Sequence, residues 1–115
     1  MSEVTYEKYR PFNEDELLGQ IGRMNIFAIS GGRVQVWRTN DGKATRTITL
    51  PVSNGYSVEI YLAGDDTYTV TRQFKRKGQY INKGTVEGVY CENIGEVAYK
   101  ASCFRNVEFG EKVKA

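Results

Sequence analysis

The chain contains no histidine, which removes the commonest general acid–base and the commonest metal ligand. Its only cysteines, Cys91 and Cys103, are too few for a disulfide scaffold and lack Cys-x-x-Cys spacing. A helix expected between them holds them about 15 Å apart, beyond disulfide reach, so they read as reduced structural thiols of a cytoplasm. No apolar run approaches the roughly 18 to 20 residues of a membrane span, and the start Met1-Ser2-Glu3-Val4 has no signal-peptide pattern, so no membrane partner is expected. Neither a Gly-Lys-Ser/Thr phosphate loop nor a Gly-x-Gly-x-x-Gly before a helix is present. Without histidine an enzyme would need perturbed carboxylates, a tyrosine or a lysine, and no spacing nominates a pair. The expectation is a non-catalytic protein with no cofactor and no metal.

What is present suits one domain. With 115 residues, 40% apolar and 26% charged, the chain buries roughly two thirds of its unfolded surface and needs no staples. Net charge is +2, but its distribution is uneven. Residues 1–16 hold Glu3, Glu7, Glu14, Asp15 and Glu16 against Lys8 and Arg10, whereas residues 71–83 hold Arg72, Lys75, Arg76, Lys77 and Lys83 with no acid. Such asymmetry leaves one end of the fold electropositive, a footprint for an anion.

Residues 1–11 show no period and read as a flexible or draped arm. Asn13 is a good N-cap, Glu16 completes a capping-box spacing, and Phe12 with Leu17 has the spacing of a hydrophobic staple. Leu17, Leu18 and Ile21 then make one apolar stripe that Gly22 ends. Ile26 to Ile29 is a continuous apolar run that reads as a strand, with Gly31-Gly32 as its hairpin turn. Alternation predicts strands at Arg33–Arg38, Thr45–Leu50, Tyr56–Leu62, Thr67–Phe74 and about Gln79–Tyr90. Asn40-Asp41-Gly42, Asn54-Gly55, Gly64-Asp65-Asp66 and Lys77-Gly78 are the turns between them, and Gly84 and Gly88 mark a bulge or bend. Asn93 with Glu96 opens a second helix whose stripe is Ile94, Val97, Ala98, Ala101 and Phe104, followed by a frayed tail over 106–115. The fold class expected is α+β: one compact domain, 1–115, with a strongly bent antiparallel sheet of about six strands and a helix at each end.

Four features compete as sites. Arg72, Lys75, Arg76, Lys77 and Lys83, with Phe74 and Tyr80 between them, suit phosphates and stacked bases, or equally a solvated hairpin tip that resists edge pairing. Ser30-Gly31-Gly32-Arg33 offers backbone N–H groups and a guanidinium to a small anion or nucleotide, or is plain turn chemistry. Asp65-Asp66, with Asp41 elsewhere, is ordinary turn chemistry before it is a cation site. Trp37 and Tyr61 project from the faces opposite Val36 and Ile60, and mark either a partner surface or core beneath a covering element. An edge strand near Ile26 or Thr45 would offer a route to a homodimer.

The stretches Met24-Asn25-Ile26-Phe27-Ala28-Ile29-Ser30-Gly31-Gly32-Arg33, Asp66-Thr67-Tyr68-Thr69-Val70 and Glu96-Val97-Ala98-Tyr99 through Ala101-Ser102-Cys103-Phe104-Arg105 resemble small uncharacterised proteins carried by bacteriophages and actinobacterial genomes. That resemblance implies action in the host cytoplasm on a host or phage macromolecule, and brings no catalytic or binding residues with it. Nucleic acid held by the basic hairpin is the first expectation for the partner. A protein target, such as a host defence factor that this chain inhibits, is the second.

Overall fold

A computed structural model describes residues 9–105 and 108–110. Asn13 caps the first helix as its sequence requires: its side chain accepts from the backbone N–H groups of Asp15 and Glu16, and helix α1 runs Glu14–Ile21 with three acids in its first turn. The Glu16 carboxylate accepts from Gln20 and leaves the capping box unreciprocated. Gly22, at φ 92°, ends α1 and opens helix α2, Arg23–Ser30.

Helix α2 overturns the strand expected at Ile26–Ile29. Four consecutive apolar residues fit a buried strand or one side of a helix equally well, and the flanks decide. Ile26 and Ile29, three apart, are buried, whereas Phe27 between them is 70% exposed. Asn25 donates to the Ile21 carbonyl oxygen and ties the start of α2 to the end of α1. The Gly31-Gly32 pair is therefore a helix terminus: Gly31 adopts the left-handed conformation and its N–H donates to the Phe27 carbonyl.

Five strands make the sheet: β2 Gln35–Arg38, β3 Thr45–Pro51, β4 Tyr56–Ala63, β5 Tyr68–Arg76 and β6 Gln79–Val89, antiparallel neighbours in chain order. A two-residue strand β1, Tyr9–Arg10, pairs with Ala63 and Leu62 of β4, and Phe12 bridges Thr45 of β3. The end of the expected arm is thus laid into the sheet; residues 1–8 lie outside the described residues. The sixth strand expected at Ile26 does not exist, and the sheet curls only mildly. Neither expected edge is an edge: Ile26 is helical, and Thr45 lies between β2 and Phe12, so β2 is the outer strand.

Helix α3, Ile94–Ser102, follows β6, with Asn93 at its N-cap making no side-chain bond. Gly95 packs so closely on α1 and α2 that a Cβ there would lie 2.6 Å from the Ile21 carbonyl oxygen. All three helices cover one face of the sheet, where Ile48, Leu50, Val58, Ile60 and Val70 meet Leu17, Ile21, Ile29, Ile94 and Ala98 in a single core. Phe104, expected on the helix stripe, lies beyond the helix and stacks on Tyr56 with ring centroids 4.0 Å apart. The tail is not frayed throughout. Phe109 is buried, and Gly84 and Gly110 have no room for a side chain between this segment and β6; residues 106–107 and 111–115 lie outside the described residues. Gly84 and Gly88 fall where the β5–β6 register slips, so both are bulge glycines as their spacing suggests.

Candidate functional site

The face of the sheet away from the helices carries no other described element. Cross-strand pairing places Gln35, Thr49, Glu59, Thr71 and Thr85 in one row across all five strands. A second row holds Pro51, Ser57, Gln73 and Asn82. Trp37 and Tyr61 stand two residues along β2 and β4 from the first row, on the same side of it, so the two aromatics expected as a partner surface share one face. Trp37 is 49% exposed and Tyr61 half-buried. Thr47, Thr49, Thr69 and Thr71 are buried, shaded between taller neighbours on a pleated surface that favours β-branched residues.

Hydrogen bonds fix this face. The Trp37 indole N–H donates to Thr49 Oγ1 at 3.1 Å, which lays the ring over β3; Ser57 and Gln73 pair at 3.5 Å, and the hydroxyls of Thr71 and Thr85 at 3.3 Å. Glu59 is the one acid of the central row. Burial pushes its carboxyl above the ordinary range, against the opposing pull of a Gln73 hydrogen bond and the Arg46 charge. Arg46 reaches this face because the β2–β3 register slips between Trp37 and Arg38, which leaves Arg46 as an extra residue opposite them.

The basic hairpin continues from this surface. Lys77 (φ 51°) and Gly78 (φ 79°) form its tip, closed by the Arg76–Gln79 pair. Lys75 and Tyr80 are cross-strand partners on the open face, with the ammonium 5.5 Å from the ring centroid. Phe74 points to the helix side, against Tyr56, and Lys83 lies over it at 5.8 Å, so Lys83 serves the opposite face of the ribbon. Lys75, Arg76, Lys77 and Tyr80 are exposed, and among the described residues no carboxylate pairs with these cations.

Arg72 does not belong to this cluster. It is 5% exposed, its Nε donates to the Ala101 carbonyl at 2.7 Å and its guanidinium also donates to the Lys100 carbonyl at 3.0 Å. An arginine on an otherwise apolar face ordinarily sits at a rim or beside a carboxylate. The partner is instead the carboxyl end of α3, where unsatisfied carbonyls and the helix dipole favour a cation. Burial lowers its pKa from a very high value. Phe109 packs 5.4 Å from the same guanidinium.

Gly31, Gly32 and Arg33 stand at the negative end of α2, not in an anion cup. The Gly31 N–H is used within the helix, and Arg33 donates through its backbone N–H and its Nε to the Ser30 carbonyl. Asp65 accepts from Thr67 and Asp66 pairs with Arg10, so the two carboxylates have separate partners. Asp41 likewise accepts from Thr39 and the Lys43 N–H. Cys91 is exposed and Cys103 half-buried, both free, at the two ends of α3.

Sequence reasoning missed Glu59, Gln73 and Arg46. Alternation placed Glu59 outward, but only the strand order puts it on the middle strand of the face away from the helices. Comparison with known protein families, with characterised proteins and with solved structures finds no match to this chain.

Proposed function

We propose that this protein is a non-catalytic binding module for single-stranded nucleic acid, gripping the phosphates with the β5–β6 tip and laying the bases on the open face of the sheet. The observation that carries the reading is the run of three exposed cations, Lys75, Arg76 and Lys77, that no described carboxylate neutralises, continuous through Tyr80 with that face. Lysine and arginine side chains displace condensed counterions, and tyrosine and tryptophan rings stack on bases of any sequence. Place of action rests on the phage resemblance alone: the host cytoplasm, on host or phage nucleic acid.

Fluorescence anisotropy with labelled single-stranded decamers tests this. Reversing Lys75, Arg76 and Lys77 to glutamate abolishes binding, and an unchanged affinity removes the reading. Three phosphate contacts give log affinity against log salt a slope of about −2. The exposed Trp37 supports a second reading, in which the same face meets a host protein that this chain modulates. Co-purification of a host protein that survives nuclease treatment, with no affinity for oligonucleotides, distinguishes it.

A further inference from the structure

We infer that Glu59 makes the open face selective for guanine, its two carboxylate oxygens accepting from N1–H and the N2 amino group of a base stacked on Trp37. The inference rests on the single-strand reading above and adds what that site prefers.

Three observations converge on it. Glu59 lies on the middle strand of the face away from the helices and is the acid of its row, flanked by Thr49 and Thr71 across β3 and β5. The Trp37 indole is pinned by its N–H to Thr49, the direct cross-strand neighbour of Glu59, so the aromatic platform and the carboxylate are held one strand apart. Finally, the donors Glu59 has within the protein do not offset its burial: Gln73 and Arg46 pull its pKa down, yet the net displacement is upward. A half-buried carboxylate in that state gains from further donors.

The chemistry then selects the base. Guanine alone presents two adjacent donors on one edge, matching both oxygens of a carboxylate. Adenine and cytosine each offer one amino group beside a ring-nitrogen acceptor that repels the second oxygen. Uracil and thymine offer one N–H between two carbonyls. From Glu59 the cross-strand neighbour is Thr71, and Lys75 lies four residues further along β5, about 14 Å away. That spacing sets the phosphates of adjoining nucleotides over the basic tip while the base is read on the sheet.

The test uses thymidine decamers, with uridine decamers in parallel, carrying guanine, hypoxanthine or adenine at the centre. Anisotropy reports affinity, and the intrinsic fluorescence of Trp37, the sole tryptophan of the chain, reports stacking. Guanine is expected to bind about tenfold more tightly than adenine, hypoxanthine (one donor fewer) to fall between, and Trp37 emission to quench. Glu59→Gln, which replaces one acceptor oxygen by a donor, erases the preference and retains binding through the tip; its thermal melting confirms the fold. Trp37→Leu weakens every decamer alike. Equal affinity for guanine and adenine, or a preference that survives Glu59→Gln, overturns the assignment and leaves the nucleic-acid reading standing if charge reversal at the tip still abolishes binding. Failure of every decamer to bind at low salt overturns both.

Discussion

At Arg72 the ordinary rule for charged residues in strands is reversed, because the end of α3 supplies carbonyl acceptors exactly where an apolar face would reject a cation. Hydrogen bonds from a charged donor are worth roughly 1.5–3 kcal/mol each, so Arg72→Met should destabilise the fold by about 3 kcal/mol in urea unfolding, with loss of order at Lys100–Ser102. Glu59 and Glu14 give opposite pH signatures. Burial raises the Glu59 pKa, so the native state binds its proton more readily than the unfolded chain; its contribution is fully present below the ordinary glutamate pKa, about 4.3, and is lost as pH rises through the higher folded value. Thr45 and Arg38 donate to Glu14 and lower its pKa, so its contribution is present above that ordinary value and is lost as pH falls through the lower one. Thermal melting across pH checks both. Glu59→Gln should match or exceed the wild-type midpoint at neutral pH and lose that margin in acid, whereas Glu14→Gln should be the weaker protein at neutral pH and converge with wild type in acid.

Among the elements, α2 is the most informative. Its identity as a helix is directly testable by mutation, because strand and helix distribute the same four residues differently. Ile26→Ala and Ile29→Ala should each cost about 2–4 kcal/mol, whereas Phe27→Ser should be close to neutral, since its ring faces solvent. A strand would have placed Phe27 opposite Ile26 and Ala28, with the costs rearranged accordingly. The β6 bulge is equally exacting. At Gly84 (φ 143°) a Cβ would sit 1.7 Å from the Phe109 carbonyl oxygen, so Gly84→Ala should displace the 108–110 segment. Backbone strain of this kind costs about 1–3 kcal/mol, and faster amide exchange near Phe109 would report it. The turns and bulges were legible because they need glycine or asparagine for steric reasons that travel with the residue: Gly22, Lys77-Gly78, Gly84 and Gly88 are all where their local pattern places them. Gly31-Gly32 was legible as a chain reversal but not as a helix end, because both uses require the same positive φ.

On the scale of the whole molecule, the three helices on one side make the two faces of the sheet unlike. They bury the apolar face of the sheet and leave a polar surface bearing Trp37, Tyr61 and Glu59, which runs out to the cationic tip. If the proposed nucleic-acid binding holds, the acidic first turn of α1 and the Lys75–Lys77 turn, on separate elements, would orient the approaching polyanion, so its association rate should fall steeply with salt, and charge reversal at the tip should remove that dependence. Stopped-flow association at two ionic strengths checks this. α2 also leaves Met24 85% exposed beside Phe27, an apolar spot that lies on the helix side and so outside the proposed nucleic-acid surface.

By itself the sequence determined what depends on neighbours within a few positions: the Asn13 cap, the alternation of β3 to β6, the tip at Lys77-Gly78, the end of α1 at Gly22. These are consequences of backbone sterics and local hydrogen bonding, which each residue carries with it. Tertiary structure alone decided whether Ile26–Ile29 coils or extends, that Arg72 caps a helix some thirty positions away, and that Trp37, Glu59 and Lys75 share one surface. Those outcomes depend on which strands become neighbours and which face the helices cover, and burial is a property of the assembled chain that no short window of residues contains.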